Sequence, residues 1–398
     1  MAVVNIYEQR RKNLNENLQG EPAVFTAFNA MQQTNDGAAP FVQESSFFWL
    51  TGLDEPNWKV LLFEGESWLI APTKTDIQRI FDGGMSSEEA QEISGIAGVL
   101  SEEELTRKLE EIALKHARVH TTLKHSHSEY FDFELNPALG KLEIDLGKVF
   151  TEVVDCRREL SKLKAIKSPQ EIELIQKAIN ISIDGFNKVR DSLASMRHEY
   201  EVEATLSYAF RAAGSQGHAY QPIVGTGVNA CTLHYIENND PLPENGMVLI
   251  DAGARVHGYA ADITRTYAIG TPSSREQQVH SEVEKAHQAI IALIKPGLSF
   301  KDYHDKVKAI MKQAIDNLNL LKTADDYQRY FPHAISHGLG IDVHDSLGGY
   351  ETLQPGMVLT VEPGIYITEE GIGVRIEDDI LVTKSGHTNL SAALPTSL

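Results

Sequence analysis

Cysteine is almost absent: the chain has two, Cys156 and Cys231, far apart and in no motif spacing. That excludes a disulfide framework and a thiolate zinc site, and makes a reducing compartment the expectation. Long apolar runs are missing too. Stretches such as Val60–Phe63 and Met247–Ile250 are too short to cross a bilayer. The opening residues, MAVVNIYEQRRKNL, carry charges where a signal peptide needs an apolar run, so a cytoplasmic protein is expected. Basic residues are scarce: 36 Lys and Arg stand against 56 Asp and Glu, a formal net charge of −20. An excess of that size argues against nucleic-acid phosphates and anionic membranes as partners.

What remains is ordinary globular composition. The 398 residues are 42% hydrophobic and 23% charged, enough for two or three domains with substantial cores. Residues 1–164 read as a mixed α/β domain. Asn5 to about Leu18 is polar and helix-favouring, while Ala23–Phe28, Phe47–Gly52, Trp58–Phe63 and Trp68–Ala71 have strand composition. Glu64-Gly65-Glu66 reads as a tight turn, and Ser86–Ile93 and Ser101–Ala117 suit exposed helices. Near residue 165 the pattern changes. Ser168 can cap a helix, Pro169 takes its first position and Glu171 completes a capping box. Ile172, Ile175 and Ile179 then share one helical face, and this helix opens a second domain, 165–398.

That second domain contains an echo of itself. Gly246–Asp251 and Gly356–Glu362 are each a glycine turn, an apolar strand and a terminal carboxylate, followed by Gly253 or Gly364. Each is followed by a second apolar stretch containing an acid: Tyr259–Ile269 with Asp262, and Gly373–Thr383 with Glu377. A carboxylate inside an apolar strand is costly unless it is paired or metal-bound. One such acid is ordinarily an ion pair or a solvent-facing position, but four in two matched strand pairs are not. Arg375 can neutralise only one of them. Two facing half-domains would place all four around one centre, and hard divalent cations suit that donor set. Two ions roughly 3.5–4 Å apart could share and activate one water. Manganese is the hard-ligand choice, with cobalt, iron or zinc as substitutes; zinc fits less well where thiolates are lacking.

Histidines supply the remaining donor type. His333, His337 and His344 fall within twelve residues, interleaved with glycines that allow close backbone approach. Farther upstream, Val224-Gly225-Thr226-Gly227 precedes His234. That glycine pair lacks the Lys-Ser/Thr continuation of a phosphate loop, so no nucleotide site is expected there.

Taken in order, VGTGVNACTLHY, LIDAG, YAADITRTY, HGLGIDVHD, VLTVEPGIY and GVRIEDD resemble the motifs of the pita-bread metallopeptidases. Within that family the pattern is most similar to aminopeptidase P and next to prolidase, and Phe41–Gly52 resembles their N-terminal domain signature. The resemblance spans essentially the whole chain. It implies an α+β protein: a creatinase-like mixed α/β N-terminal domain, then a catalytic domain of duplicated, pseudo-twofold halves. It implies that Asp251 holds one metal, that Asp262 and Glu377 bridge both, and that His337 and Glu362 complete the other. His234 and His344 would bond the substrate, Glu362 would shuttle the proton, and His333 would belong to the proline pocket. Tyr220 and Arg375 would orient the Asp251 end.

The implied activity is release of the N-terminal residue from peptides with proline second, by a homodimer or homotetramer. Only sixteen residues separate Asp345 from Glu362, and fourteen separate Glu362 from Glu377, shorter than in longer members of the family. This region bears on how the C-terminal side of a substrate is met, where dipeptidase and aminopeptidase differ. His234–Asn239 resembles aminopeptidase P more than prolidase. The alternatives are an Xaa-Pro dipeptidase and, more remotely, a non-catalytic binding protein on the same fold.

Overall fold

The computed structural model describes residues 2–123, 134–323 and 325–398. The chain divides into two compact units, Met1–Leu163 and Lys164–Leu398. Among the described residues no helix is long and apolar enough to cross a membrane.

The first unit is built on one mixed sheet. Its strands are β1 (Ala23–Thr26), β2 (Lys59–Phe63), β3 (Glu66–Ile70), β4 (Gly98–Leu100), β5 (Arg118–Thr121) and β6 (Glu152–Asp155). They lie in the order β4-β3-β2-β1-β5-β6. Glu64 and Gly65 both take positive φ, 49° and 84°, and make the two-residue turn between β2 and β3, as the sequence suggests. Helices Glu102–Ala113 and Ala138–Gly147 bury Leu105, Leu109, Ile112, Leu142 and Leu146 against Val24, Leu61, Ile70 and Val119. One expected strand is a helix. Over Ser45–Thr51 the Glu44 carboxylate accepts the Phe47 N–H at 2.6 Å, and Gly52 ends the helix at φ 74°. All seven helical residues are buried, so the segment is enclosed on every side and shows no helical period to read.

The second unit repeats one order of elements. Helices Pro169–Ser192 and Glu199–Ala212 precede β7 (Ile223–Thr226), β8 (Gly246–Ala252), β9 (Arg255–Val256), β10 (Tyr259–Ala260) and β11 (Ile263–Ile269). Helices Ser274–Ile291, Phe300–Asn317 and Asp326–Tyr330 then precede a second set of strands. These are β12 (Val358–Val361), β13 (Gly364–Ile367), β14 (Ile372–Arg375), β15 (Asp378–Val382) and β16 (His387–Asn389). The first helix starts as its sequence dictates, with Ser168 and Glu171 bonded reciprocally and Pro169 in the first turn. In the second half, Val279, Val283 and Ile290 of one helix and Val307, Met311 and Ile315 of the next pack in one core with Leu359, Val361 and Ile380.

The carboxylate-bearing strands pair as the echo suggests. β8 runs antiparallel to β11 with Asp251 opposite Thr264, and β12 runs antiparallel to β15 with Val361 opposite Asp378. Glycine after each carboxylate has a steric cause. A Cβ at Gly253 would lie 1.7 Å from the Ala261 carbonyl oxygen, and one at Gly364 would lie 2.4 Å from the Tyr366 hydroxyl. The continuous second strands expected over Tyr259–Ile269 and Gly373–Thr383 are instead both broken. Asp262 falls between β10 and β11, and Glu377 between β14 and β15. At the breaks the backbone bonds across the seam between halves: Asp262 N–H to the Asp379 carboxylate at 3.2 Å, Glu377 N–H to the Thr264 carbonyl at 3.0 Å.

The segment carrying His337 and His344 is closed by a buried ion pair. Asp345 N–H bonds the Gly338 carbonyl at 2.8 Å, and its carboxylate receives Lys167 Nζ at 2.9 Å with Lys164 Nζ at 3.5 Å. Burial alone would raise the Asp345 carboxyl, but the two ammonium groups outweigh it and hold it down to about 2. A depressed carboxylate stabilises the fold above its unfolded value, here near 3.8, and that contribution is lost as pH falls through about 2. Lys167→Met leaves one ammonium for a buried charge. It is expected to cost toward the lower end of roughly 3–5 kcal/mol at neutral pH. Urea unfolding of the variant checks this; an unchanged midpoint would show that the pair does not support the fold.

Candidate metal centre

Every side chain singled out for chemistry in the sequence opens onto one cavity of ≈ 590 Å³: Asp251, Asp262, His337, Glu362, Glu377, His234, His344, His333, Tyr220 and Arg375. Asp251 arrives on β8, Glu362 just beyond β12, and Asp262 and Glu377 at the two strand breaks. Oxygens of Asp262 and Glu377 and a ring nitrogen of His337 lie within 4.8 Å of one another. His337 Nε2 is 3.4 Å from Asp262 Oδ2 and 3.5 Å from Glu362 Oε1, and its Nδ1 sits 3.0 Å from the Gly338 carbonyl. That carbonyl is an acceptor, so Nδ1 carries the proton and Nε2 is left to face the acids in the neutral ring.

The acids are held in an environment that resists their charge. Burial, then the neighbouring carboxylates Asp262, Glu362 and Asp251, push Glu377 far above the usual range. Burial likewise raises Glu362 to about 7 and raises Asp251, although Arg375 opposes both. Burial would depress His337, but Asp262 and Glu362 outweigh it and hold the ring up to about 9. Tyr220 makes the excess of negative charge visible. Its hydroxyl lies 2.5 Å from Asp251 and 2.6 Å from Asp262, yet one phenol has one proton to donate.

Each of the three guanidinium nitrogens of Arg375 has a protein partner. The group donates to Asp251 at 2.6 Å, to the Tyr366 hydroxyl at 2.8 Å and to Thr264 Oγ1 at 3.2 Å. Thr264 passes the contact on, its hydroxyl donating to Glu377 at 2.7 Å. His333 bonds the Tyr366 hydroxyl at 2.9 Å and lies 3.4 Å from Glu362, and burial pulls its ring down to about 4. Burial, then the His337 ring 4.3 Å away, lowers His344 as well. Tyr366, Thr264 and Asp379 are participants that residue-type reasoning passed over. They lie inside the quoted motifs VLTVEPGIY, YAADITRTY and GVRIEDD; composition does not separate Tyr366 and Thr264 from ordinary strand residues, whereas Asp379 is itself an acid in an apolar strand and carries the same signal as Glu377.

The residues present fit hard divalent cations. Four carboxylates, three buried and Glu362 half-buried, converge with one imidazole and, among the described lining residues, a single guanidinium, and protonation is the other relief for their repulsion.

Known proteins are similar to this chain over most of its length. Residues 173–384 match the family model described as metallopeptidase family M24, and residues 7–120 match that described as aminopeptidase P, N-terminal domain. Xaa-Pro aminopeptidase of Haemophilus influenzae is 34% identical, with 98% of this chain and 95% of the relative aligned. Xaa-Pro aminopeptidase of Escherichia coli is 31% identical over 98% of this chain and 94% of its own. The solved structure of aminopeptidase P from Escherichia coli is similar at a TM-score of 0.86 and 29% identity, covering 99% of this chain and 96% of that one.

If the acids require cations, ion binding stabilises the native state. Manganese at a hundred times its dissociation constant is expected to add about 2.7 kcal/mol per site. Thermal unfolding with and without chelator measures it. Asp262→Asn is expected to lose most of that gain, and an equal gain in the variant would exclude Asp262 as a ligand.

Proposed function

The chain belongs to metallopeptidase family M24, and on that premise we propose that it hydrolyses the Xaa-Pro bond at the N-terminus of peptides. The observation that carries the reading is the composition of one cavity wall, where four acids and one imidazole meet three further histidines. In this reading Asp251, Asp262, His337, Glu362 and Glu377 hold two divalent ions, with manganese as the working metal. Bound there, such ions lower the pKa of a shared water and polarise the scissile carbonyl.

The chain's own groups supply the rest. Glu362, half-buried on the cavity wall 3.5 Å from His337, takes a proton from the attacking water and returns it to the departing prolyl nitrogen. His234 and His344 line the cavity and donate to the oxygen that gains charge. His333, uncharged at neutral pH and packed at 4.8 Å against the Phe331 ring, forms part of the wall for the proline ring. Tyr220 and Arg375 fix the Asp251 carboxylate. An Xaa-Pro bond offers no N–H, and its ring fixes φ, so a pocket shaped for that ring can select what strand-binding proteases lose.

The lining favours an aminopeptidase over a dipeptidase. Among the described lining residues the one guanidinium is Arg375, and its three contacts are protein groups. No ammonium group joins it among the described lining residues to pair the carboxylate of a dipeptide. A homodimer or homotetramer in the cytoplasm, with peptides as its partners, completes the reading.

A paired assay of manganese-loaded enzyme tests it, with an Xaa-Pro dipeptide in one tube and a longer peptide beginning Xaa-Pro in the other. Release of Xaa from the longer peptide is expected. Cleavage of the dipeptide alone would make the enzyme a dipeptidase, and cleavage of neither by metal-loaded protein would overturn the proline assignment.

A further inference from the structure

Glu377 lies in the break between β14 and β15, where its only strand pairing among the described residues is a single antiparallel bridge to Thr264 of the other half. Both of its backbone anchors come from one dipeptide of the other half. Its N–H goes to the Thr264 carbonyl at 3.0 Å, and its carbonyl receives Arg265 Nη1 at 2.7 Å. Arg265 is 1% exposed. All five of its N–H groups are used: on the Glu377 and Thr264 carbonyls from Nη1, on Asp378 Oδ1 at 2.6 Å and the Leu394 carbonyl at 2.7 Å from Nη2, and on the Pro395 carbonyl at 3.0 Å from Nε.

The far side of this fork is held in turn. Asp378 also accepts from Asn389 at 2.6 Å and from the Ser391 hydroxyl at 2.9 Å, and Ser391 Oγ accepts the Asp379 N–H at 3.0 Å. Thr396 bonds Glu284 at 2.6 Å and ties down the end of the same segment. The guanidinium is therefore gripped from three sides, by β11, by the start of β15 and by the C-terminal segment.

A buried ion pair of this kind is weak evidence for stability, because apolar residues of similar volume commonly do as well. What a planar, fully engaged fork does supply is direction. We propose that Arg265 is a positioning residue for Glu377, holding the carbonyl of that acid so that its carboxylate faces Asp262. Through Arg265 the C-terminal segment Leu390–Thr396 becomes part of the support for metal binding. The proposal rests on the reading of Glu377 as a ligand.

The test measures metal affinity, apart from turnover. Arg265→Lys keeps a charge for Asp378 but cannot reach Glu377, Leu394 and Pro395 together. Manganese titration by calorimetry is expected to show roughly 10–100-fold weaker binding, the range seen when groups that orient a ligand are altered. The spin-coupled two-manganese signal in electron paramagnetic resonance should be lost at stoichiometric metal. Phe210→Leu, a buried change in the helix Glu199–Ala212, serves as the reference. It should lower the melting temperature of the metal-free protein and leave manganese affinity unchanged.

If Arg265→Lys binds two manganese ions as tightly as the parent, the positioning role is wrong while the metal centre stands. If the parent itself binds no manganese, the ligand assignment beneath it fails. Should Arg265→Lys not fold, Ser391→Ala, which removes one hydroxyl from the Asp378 cluster, is titrated instead. A several-fold weakening is expected, and unchanged affinity there also overturns the proposal.

Discussion

Like charge held out of water is the constraint on which the second unit turns. Asp251, Asp262, Glu362 and Glu377 face one cavity, and burial works against the ionisation of three of them. Every unusual local feature answers to that cost. Arg375 spans Asp251 and the Thr264 hydroxyl, which in turn reaches Glu377. Tyr220 lends one proton to two acids, and His337 is drawn toward its charged form by the acids around it. A fold organised for stability alone would not gather these groups, since unpaired buried charge is among the most expensive arrangements a core can hold. In the proposed reading a cation at this centre offsets the cost, and on that reading binding and folding are linked.

The acids are delivered by repetition. Two strands of the same design, each ending in a carboxylate and a glycine that admits a close neighbour, pair with two further strands that break where the other acids sit. The breaks are not defects of an otherwise regular sheet. A residue inside a ladder spends its N–H on its own sheet, whereas Asp262 and Glu377 spend theirs on the opposite half. Each half thereby fixes the position of an acid belonging to the other.

Much of this was legible in the residues. Apolar strands that end in acids are conspicuous because hydrophobic pattern and charge conflict there, and the capping box at Ser168 is a local signal that tertiary packing has no reason to override. The family resemblance added roles that no spacing could have supplied. What stayed hidden is equally physical. The Ser45–Thr51 helix is buried on all sides, so it shows the composition of a strand and no helical period. The gaps at Asp262 and Glu377 are set by hydrogen bonds from residues more than a hundred positions away, which alternation along one strand cannot report. Tyr366 looks like any strand tyrosine until His333 and Arg375 are seen to converge on its hydroxyl.

The exchange of anchors across the seam has a thermodynamic consequence. Because Glu377 is fastened to Thr264 and Asp262 to Asp379, neither half contains a finished site, and opening either one strips two acids of their supports at once. Partial unfolding of one half is then penalised by the loss of whatever the whole centre binds. The two repeats must rise and fall together as one cooperative unit, although each has its own helices and its own pair of strands.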